Sequence, residues 1–170
     1  MLAALIAGLG ASGGAAASYF DTGPATIRGL PAAAGEAVLV GFGDVAAKPG
    51  DKVEFVGVAL AEPSTSVTPG LRILLRRDTG NAGVGAGYPA ELPPEIPLGA
   101  LRLPAGLTLQ ADDGTAQLIL ALAAPPDTLT YKGVDVTFRV NGGGEQTQRF
   151  PAAGKVCVGA ARPEVCHPDG

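Results

Sequence analysis

The sequence predicts an all-β protein, an antiparallel β-sandwich preceded by an apolar N-terminal segment. Short runs of apolar and β-branched residues alternate with polar residues along most of the chain, which is typical of strands with one buried face. Glycine and proline contribute 26 and 15 of the 170 residues, and they divide these runs into short segments joined by turns. Antiparallel strands of this kind are expected to pack as two facing sheets.

The clearest strand pair lies between Thr130 and Cys157. Apolar residues occupy every second position of its first strand, at Val134, Val136, Phe138 and Val140. The run 141–144 (N-G-G-G) follows, and it adopts positive φ at little steric cost. Residues 145–150 are predicted to form the returning strand, and residues 155–158 a last short strand. This hairpin indicates the architecture and no activity.

Further strands are predicted upstream of this hairpin. They are expected at 37–42, 52–60, 71–76 and 116–123, with short ones at 100–103 and 107–110. The residues expected to face inward include Leu71, Ile73, Leu75, Leu118, Leu120 and Leu122, with Arg72 and Arg76 outward. The apolar phase changes sides within 52–60, and Gly57 is the expected position of a β-bulge. Asp113-Gly114 is predicted to be a hairpin turn.

The predicted domain boundaries follow the changes in composition. Residues 1–20 are expected to be a signal peptide or membrane anchor, 21–35 a linker with a short strand at 26–30, 36–158 the β-sandwich and 159–170 a tail.

Three interpretations of the uncharged residues 1–17 stay open. A signal peptide would explain the small residues at 15–17 but lacks a basic flank. A membrane-spanning helix needs about 20 residues and would place Tyr19 and Phe20 at the membrane surface. The third alternative is a buried element of a soluble domain or a flexible tail.

Charge and aromatic content argue against two classes of partner. The net charge is −4, and no run of basic residues is longer than Arg76-Arg77, whereas nucleic-acid binding depends on a basic patch. The chain has no tryptophan, and its 3 tyrosines and 5 phenylalanines are scattered. Exposed aromatic platforms for sugars are therefore not expected.

Cys157 and Cys166, the only cysteines, are predicted to form a disulfide in an exported protein. Closing so short a loop stabilises the fold by about 2–3 kcal/mol and would hold the tail against the last strand. A metal site formed by both cysteines and His167 lacks a fourth ligand, so no metal is expected.

Catalytic motifs are weak. His167, the only histidine, lies three residues from the end of the sequence, where a rigid general base is not expected. Gly83, Gly85 and Gly87 do not open a helix after a strand, as a phosphate-binding loop would. We therefore expect no catalytic residues and no cofactor.

The irregular stretch 79–99 contains the candidate partner surface, formed by Tyr88, Glu91 and Glu95. Long loops inside a compact domain are often functional. The alternative interpretation is a plain connection between the two sheets.

The segment 131–143 reads Y-K-G-V-D-V-T-F-R-V-N-G-G. Together with the order of the strands, it resembles the uncharacterised exported or membrane-tethered immunoglobulin-like domains of actinobacteria, over residues 36–158. The resemblance implies an immunoglobulin-like sandwich with Greek-key connections and no assigned activity.

The expected role is that of a non-catalytic extracytoplasmic domain, secreted or attached to the membrane through its N-terminal segment. It would present loops to an unknown protein or cell-surface partner. The alternative is a small-ligand carrier, or an accessory domain of an envelope enzyme, with a pocket under the 79–99 loop.

Overall fold

The fold is all-β, as predicted. The computed structural model describes residues 18–80, 82–87, 94, 96–159 and 166. Within these residues the strands are β1 (Thr26–Ala32), β2 (Ala37–Val45), β3 (Lys52–Ala61), β4 (Gly70–Leu75), β5 (Ala86–Gly87), β6 (Thr108–Gln110), β7 (Ala116–Ala123), β8 (Leu129–Tyr131), β9 (Gly133–Val140), β10 (Gln146–Phe150) and β11 (Ala152–Val158). Short 3₁₀ helices lie at Arg76–Thr79, Leu98–Ala100 and Ala111–Asp113.

The strands form three sheets, two of which continue into each other. Their strand orders are β4-β7-β2-β5, β10-β9-β3-β6 and β1-β11-β8. Lys132 alone separates β8 from β9, and Pro151 alone separates β10 from β11, so the third sheet extends the second. Proline has no N–H for a ladder bond, which explains the break at Pro151. The pairing of β1 with β11 is parallel, whereas the sequence predicted antiparallel strands.

The predicted hairpin and the predicted bulge are both present. β9 and β10 pair from Val134 opposite Phe150 to Phe138 opposite Gln146, and the turn begins with positive φ at residues 141 and 142. The register of β3 against β9 shifts between residues 55 and 57. The extra residue, Val56, is 42% exposed, because the bulge turns it away from the core.

One apolar core is shared by strands of all three sheets. The six residues predicted to face inward from β4 and β7 are all buried in it. All five phenylalanines also contribute to this core, at positions 20, 42, 55, 138 and 150. Their rings contact one another, with Phe20 and Phe138 at a centroid distance of 4.9 Å. The inward alternation along β4 and β7 is therefore confirmed.

The folded region begins earlier than the expected start at Glu36. The sequence placed Phe20 in an anchor and 21–35 in a linker, yet Phe20 is 4% exposed and β1 pairs with β11 along its whole length. The Tyr19 hydroxyl donates to the Asp51 carboxylate at 2.9 Å. Burial of the Phe20 ring draws this segment onto the domain. Residues 1–17 lie outside the described residues.

Two short elements differ from prediction. Asp113 ends a 3₁₀ helix, and Gly114 does not close a hairpin, because β6 pairs with β3 while β7 belongs to another sheet. The expected strand at 100–103 is reduced to a single bridge between Ile73 and Arg102.

Candidate functional site

β7 carries apolar side chains on both faces of its sheet. Leu118 and Leu120 point into the main core, and between them Ile119 is also fully buried. A strand with two apolar faces needs cover on both sides. The outer face of the β4-β7-β2-β5 sheet, which is the face turned away from the main core, therefore requires its own packing partner.

The connection between β4 and β6 covers one half of this outer face. Val84 and Ile96 are buried there and pack against Leu74 and Ile119. Gln117 fixes the connection to the sheet, since its Nε2 donates to the Val84 carbonyl at 2.8 Å and its Oε1 accepts from the Val84 N–H at 2.7 Å. The space beneath the described part of the 79–99 loop is thus filled by side chains, and they form a second small core.

The other half of the outer face is an open groove of about 510 Å³. The groove is lined by residues 37–39, 68–70, 72, 101 and 121–123. The floor of the groove is the sheet surface itself, and few side-chain atoms rise above it. Small residues lie opposite each other there on adjacent strands: Gly70 pairs with Ala121, and Ala37 with Ala123. Such a floor leaves room for a bound chain to approach the sheet closely.

Arg72 supplies the charge in the groove lining. Its side chain is half-buried, and its Nη1 donates to the carbonyl of Leu71 at 3.1 Å. A Cβ added at Gly70 would lie 3.4 Å from the same nitrogen, so the guanidinium lies over the floor beside Gly70. An arginine carries about five N–H donors, and the carbonyl of Leu71 occupies one of them.

Arg72 differs from other arginines of the molecule in its partners. Within the described part of the chain, the arginines with an aspartate or glutamate within ion-pair distance are Arg76, Arg77, Arg102, Arg139 and Arg149. No carboxylate of the described residues lies within that distance of Arg72. A half-buried cation beside apolar surface attracts an anion, because the low dielectric nearby strengthens the interaction.

The partner surface predicted from the sequence, Tyr88, Glu91 and Glu95, lies outside the described residues. The chain leaves the described region at β5, where Gly87 pairs with Leu39 at the groove. His167 is also outside the described residues. The role predicted for the 79–99 loop therefore stays a prediction.

The predicted disulfide between Cys157 and Cys166 is present. Both cysteines are buried. A Cβ added at Gly29 would collide with the carbonyl oxygen of Cys166, so residue 166 lies directly on β1. The disulfide thus holds residue 166 against β1 as well as β11.

Charged side chains pair across β9 and β10, and also between the residues that follow β8 and β3. Nε of Arg149 lies 2.8 Å from the Asp135 carboxylate, and Nζ of Lys132 lies 2.6 Å from the Glu62 carboxylate. The hydrogen bond from Arg149 lowers the pKa of Asp135, and that from Lys132 lowers the pKa of Glu62. Paired and mostly exposed charges of this kind are typical of a solvated surface.

Comparisons with protein-family models, with curated proteins and with solved structures give no match for this chain. In the part of the chain that the structure describes, no helix is long and apolar enough to span a membrane. That same part contains no group of three or more His, Cys, Asp or Glu side chains arranged to hold a metal ion. Fold and site together define an all-β protein with several antiparallel sheets, a disulfide and an open apolar groove beside a cation.

Sequence reasoning missed the groove. The available signal was the composition of β7, A-Q-L-I-L-A-L-A, in which nearly every position is apolar instead of every second one. That composition indicates burial on both faces. Arg72 was correctly predicted to face outward, but alternation alone does not distinguish open solvent from the wall of a groove.

Proposed function

We propose that this protein is a non-catalytic, extracytoplasmic binding domain of immunoglobulin-like architecture, and that it binds a protein partner in the groove beside Arg72. The groove is the observation that carries this proposal, since it combines an apolar floor with a cation. Its lining contains no carboxylate, imidazole or thiol among the described residues. The lining is therefore suited to binding an anionic, apolar group, whereas general-base and thiol chemistry need side chains of other types.

The strand order supports the immunoglobulin-like assignment. In that fold one sheet contains strands B, E and D as neighbours, and the other contains C, F and G. The neighbours β2-β7-β4 and β3-β9-β10 follow the same two orders. The short strand β5 lies next to β2, where that fold has its first strand, so this position departs from the pattern. The resemblance of residues 131–143 to actinobacterial domains is consistent with the same assignment.

An extracytoplasmic location is supported by the disulfide and by the composition of residues 1–17. Disulfides persist in oxidising compartments and are rare in the cytosol. The first residues are uncharged and apolar, as expected of an export signal or an anchor. Cell fractions alkylated without reduction should contain the unalkylated protein in the membrane or extracellular fraction. A doubly alkylated protein in the cytoplasm would contradict the proposed location.

A protein partner is favoured because the groove is open to solvent. Pockets for small molecules usually enclose about 70–90% of the ligand surface, whereas a groove on an open sheet face covers its occupant from one side. A protein segment brings its own surface to complete the burial. The groove therefore fits a chain laid across the sheet better than an isolated small molecule.

The alternative function is that of a small-ligand carrier. The groove volume of about 510 Å³ favours it, since it falls in the range of about 300–1,000 Å³ found for small-molecule sites. Native mass spectrometry of the protein purified from its own organism distinguishes the two. A small molecule bound in stoichiometric amount would support the carrier.

Site-specific photo-crosslinking in the organism that encodes the protein tests the proposed function. The cross-linking amino acid replaces Thr68 at the groove, or Thr147 on the outer face of the other sheet as the matched control. We expect a discrete cross-linked protein from position 68 alone, lost when Ala121→Trp fills the groove. Equal products from both positions, or none from position 68, would rule the groove out as the binding surface. An unchanged urea midpoint confirms that Ala121→Trp folds.

A further inference from the structure

We infer that the partner segment bound in the groove is apolar and carries one carboxylate, which pairs with the guanidinium of Arg72. This inference rests on the proposed function and adds the chemistry of the partner to it. The recognising elements are the low floor of the groove and the Arg72 guanidinium at the end of that floor.

The position of the guanidinium fits a carboxylate approaching along the groove. It lies over the floor beside Gly70, and Nη1 already donates to the carbonyl of Leu71. That bond fixes the orientation of the planar group while leaving its other donors for a ligand. Arginine binds carboxylates through two parallel hydrogen bonds, so a guanidinium held in one orientation selects both the charge and the geometry of its partner.

The charge distribution of the chain explains why an anion is expected from outside. The chain carries 16 acidic residues and a net charge of −4, and the other arginines with described ion pairs use carboxylates of the protein itself. Arg72 is half-buried with no described carboxylate within ion-pair distance, and the carbonyl of Leu71 that it contacts is neutral. An incoming carboxylate would supply the opposite charge. A lysine or arginine on the partner would be repelled.

The floor defines the rest of the bound segment. Residues 70, 121 and 39 lie side by side on three adjacent strands, as do residues 123 and 37 on two of them. These positions are glycine, alanine and leucine, so the floor offers no hydrogen-bonding side chain. Apolar side chains of a partner gain free energy by covering it, whereas polar ones lose their water without a new partner.

A titration with short synthetic peptides tests the inference on the full-length protein. Three blocked peptides alternate valine and threonine and differ at one central position, which is glutamate, glutamine or lysine. Backbone amide NMR signals of residues 39, 70, 121 and 123 report the groove, and those of 137 and 147 report the opposite sheet. We expect only the groove signals to shift, with the glutamate peptide binding about tenfold more tightly than the glutamine peptide and the lysine peptide weakest.

Arg72→Gln is the decisive variant, because it keeps a polar side chain at an outward, half-buried position and removes the charge. We expect it to abolish the preference for glutamate over glutamine. Equal binding of all three peptides to the unmodified protein would overturn the inference. So would a shift of the groove signals by octanoate at lower concentrations than by the glutamate peptide, because that result would assign the groove to acyl chains.

The cross-linking experiment separates failure of this inference from failure of the proposed function. The cross-link from position 68 could be lost with Ala121→Trp but unchanged by Arg72→Gln. In that case the groove is the binding surface, and the partner does not bind through a carboxylate. A cross-link that survives both substitutions would show that the partner does not bind in the groove.

Discussion

The side-chain amide of Gln148 pairs with the backbone of Phe20 in the way that a neighbouring strand would. Its Nε2 donates to the Phe20 carbonyl at 2.8 Å, and its Oε1 accepts from the Phe20 N–H at 3.0 Å. The same oxygen accepts from the N–H of Tyr19 at 2.9 Å. Gln117 holds Val84 by the same two-bond arrangement. Two buried glutamines thus hold the segments around Phe20 and Val84 against the sheets, and these segments form little or no regular structure of their own.

Replacing Gln148 tests how strongly this pairing holds the N-terminal segment. Gln148→Ala leaves the buried backbone groups of Phe20 without partners, which should lower the free energy of unfolding by about 2–3 kcal/mol in urea denaturation. Gln148→Glu keeps the acceptor, loses the donor and places a negative charge at a buried position, so it should also lower stability. Gln146→Ala, an exposed change on the same strand, is the control. Equal stability of the Gln148→Ala and Gln146→Ala proteins would show that the pairing is dispensable.

The ring of Phe20 should itself be a major contributor to stability. It is 4% exposed, and its centroid lies 4.9 Å from that of Phe138 and 6.0 Å from that of Phe55. Phe20→Ala should cost about 3–5 kcal/mol, as for other buried aromatic residues. Leu103, which is 57% exposed, provides the control, since Leu103→Ala should change stability by about 0.5 kcal/mol or less.

A shortened chain gives a second readout for the same segment. A version beginning at Glu36 lacks Phe20 and β1, and it should be far less stable than one beginning at Ser18. Equal urea midpoints for the two versions would support the domain start near Glu36 that was expected from the sequence.

Elements specified by local pattern were predictable. The inward-facing residues of β4, β7 and β9 were predicted because each strand places every second side chain in the main core. The bulge before Gly57 was visible because the apolar phase changes sides there. The disulfide followed from there being two cysteines. Each of these signals is contained in a few neighbouring residues or in composition.

Elements specified by distant contacts were not predictable. Phe20 is held by Gln148, 128 positions away in the chain, and β1 pairs with a strand at the opposite end of the sequence. Nothing local distinguishes Phe20 in a core from Phe20 beside a membrane, since both environments favour an aromatic ring. The site depends on Arg72 having no carboxylate within reach among the described residues, and this is a property of the folded surface alone.

Gly29 should be needed for the disulfide to close in its present position. A Cβ there would overlap the carbonyl oxygen of Cys166, so Gly29→Ala should displace that residue from β1. We expect unfolded, unreduced Gly29→Ala protein to bind a thiol reagent in part, and its stability to fall by up to about 2–3 kcal/mol. Gly57→Ala is the control, because no atom lies within 4 Å of a Cβ at that position. A fully closed disulfide and unchanged stability in Gly29→Ala would contradict this role.

Asp51 should make the fold sensitive to acid. Hydrogen bonds from the Asn141 side chain and from the Tyr19 hydroxyl lower the pKa of this carboxyl group. A group whose pKa is lower in the folded state stabilises the fold above its unfolded pKa, and that contribution is lost as the pH falls through the folded value. Asp51→Asn removes the negative charge that strengthens these two hydrogen bonds, so it should reduce stability near neutral pH. The deficit should shrink as the pH falls below about 4, where the carboxyl of the unfolded chain becomes protonated, and it should disappear below the lowered pKa of the folded carboxyl. Urea midpoints measured across this pH range test the effect, and Asp127→Asn, at an exposed position, is the control. A deficit that does not change with pH would show that the charge of Asp51 is not its cause.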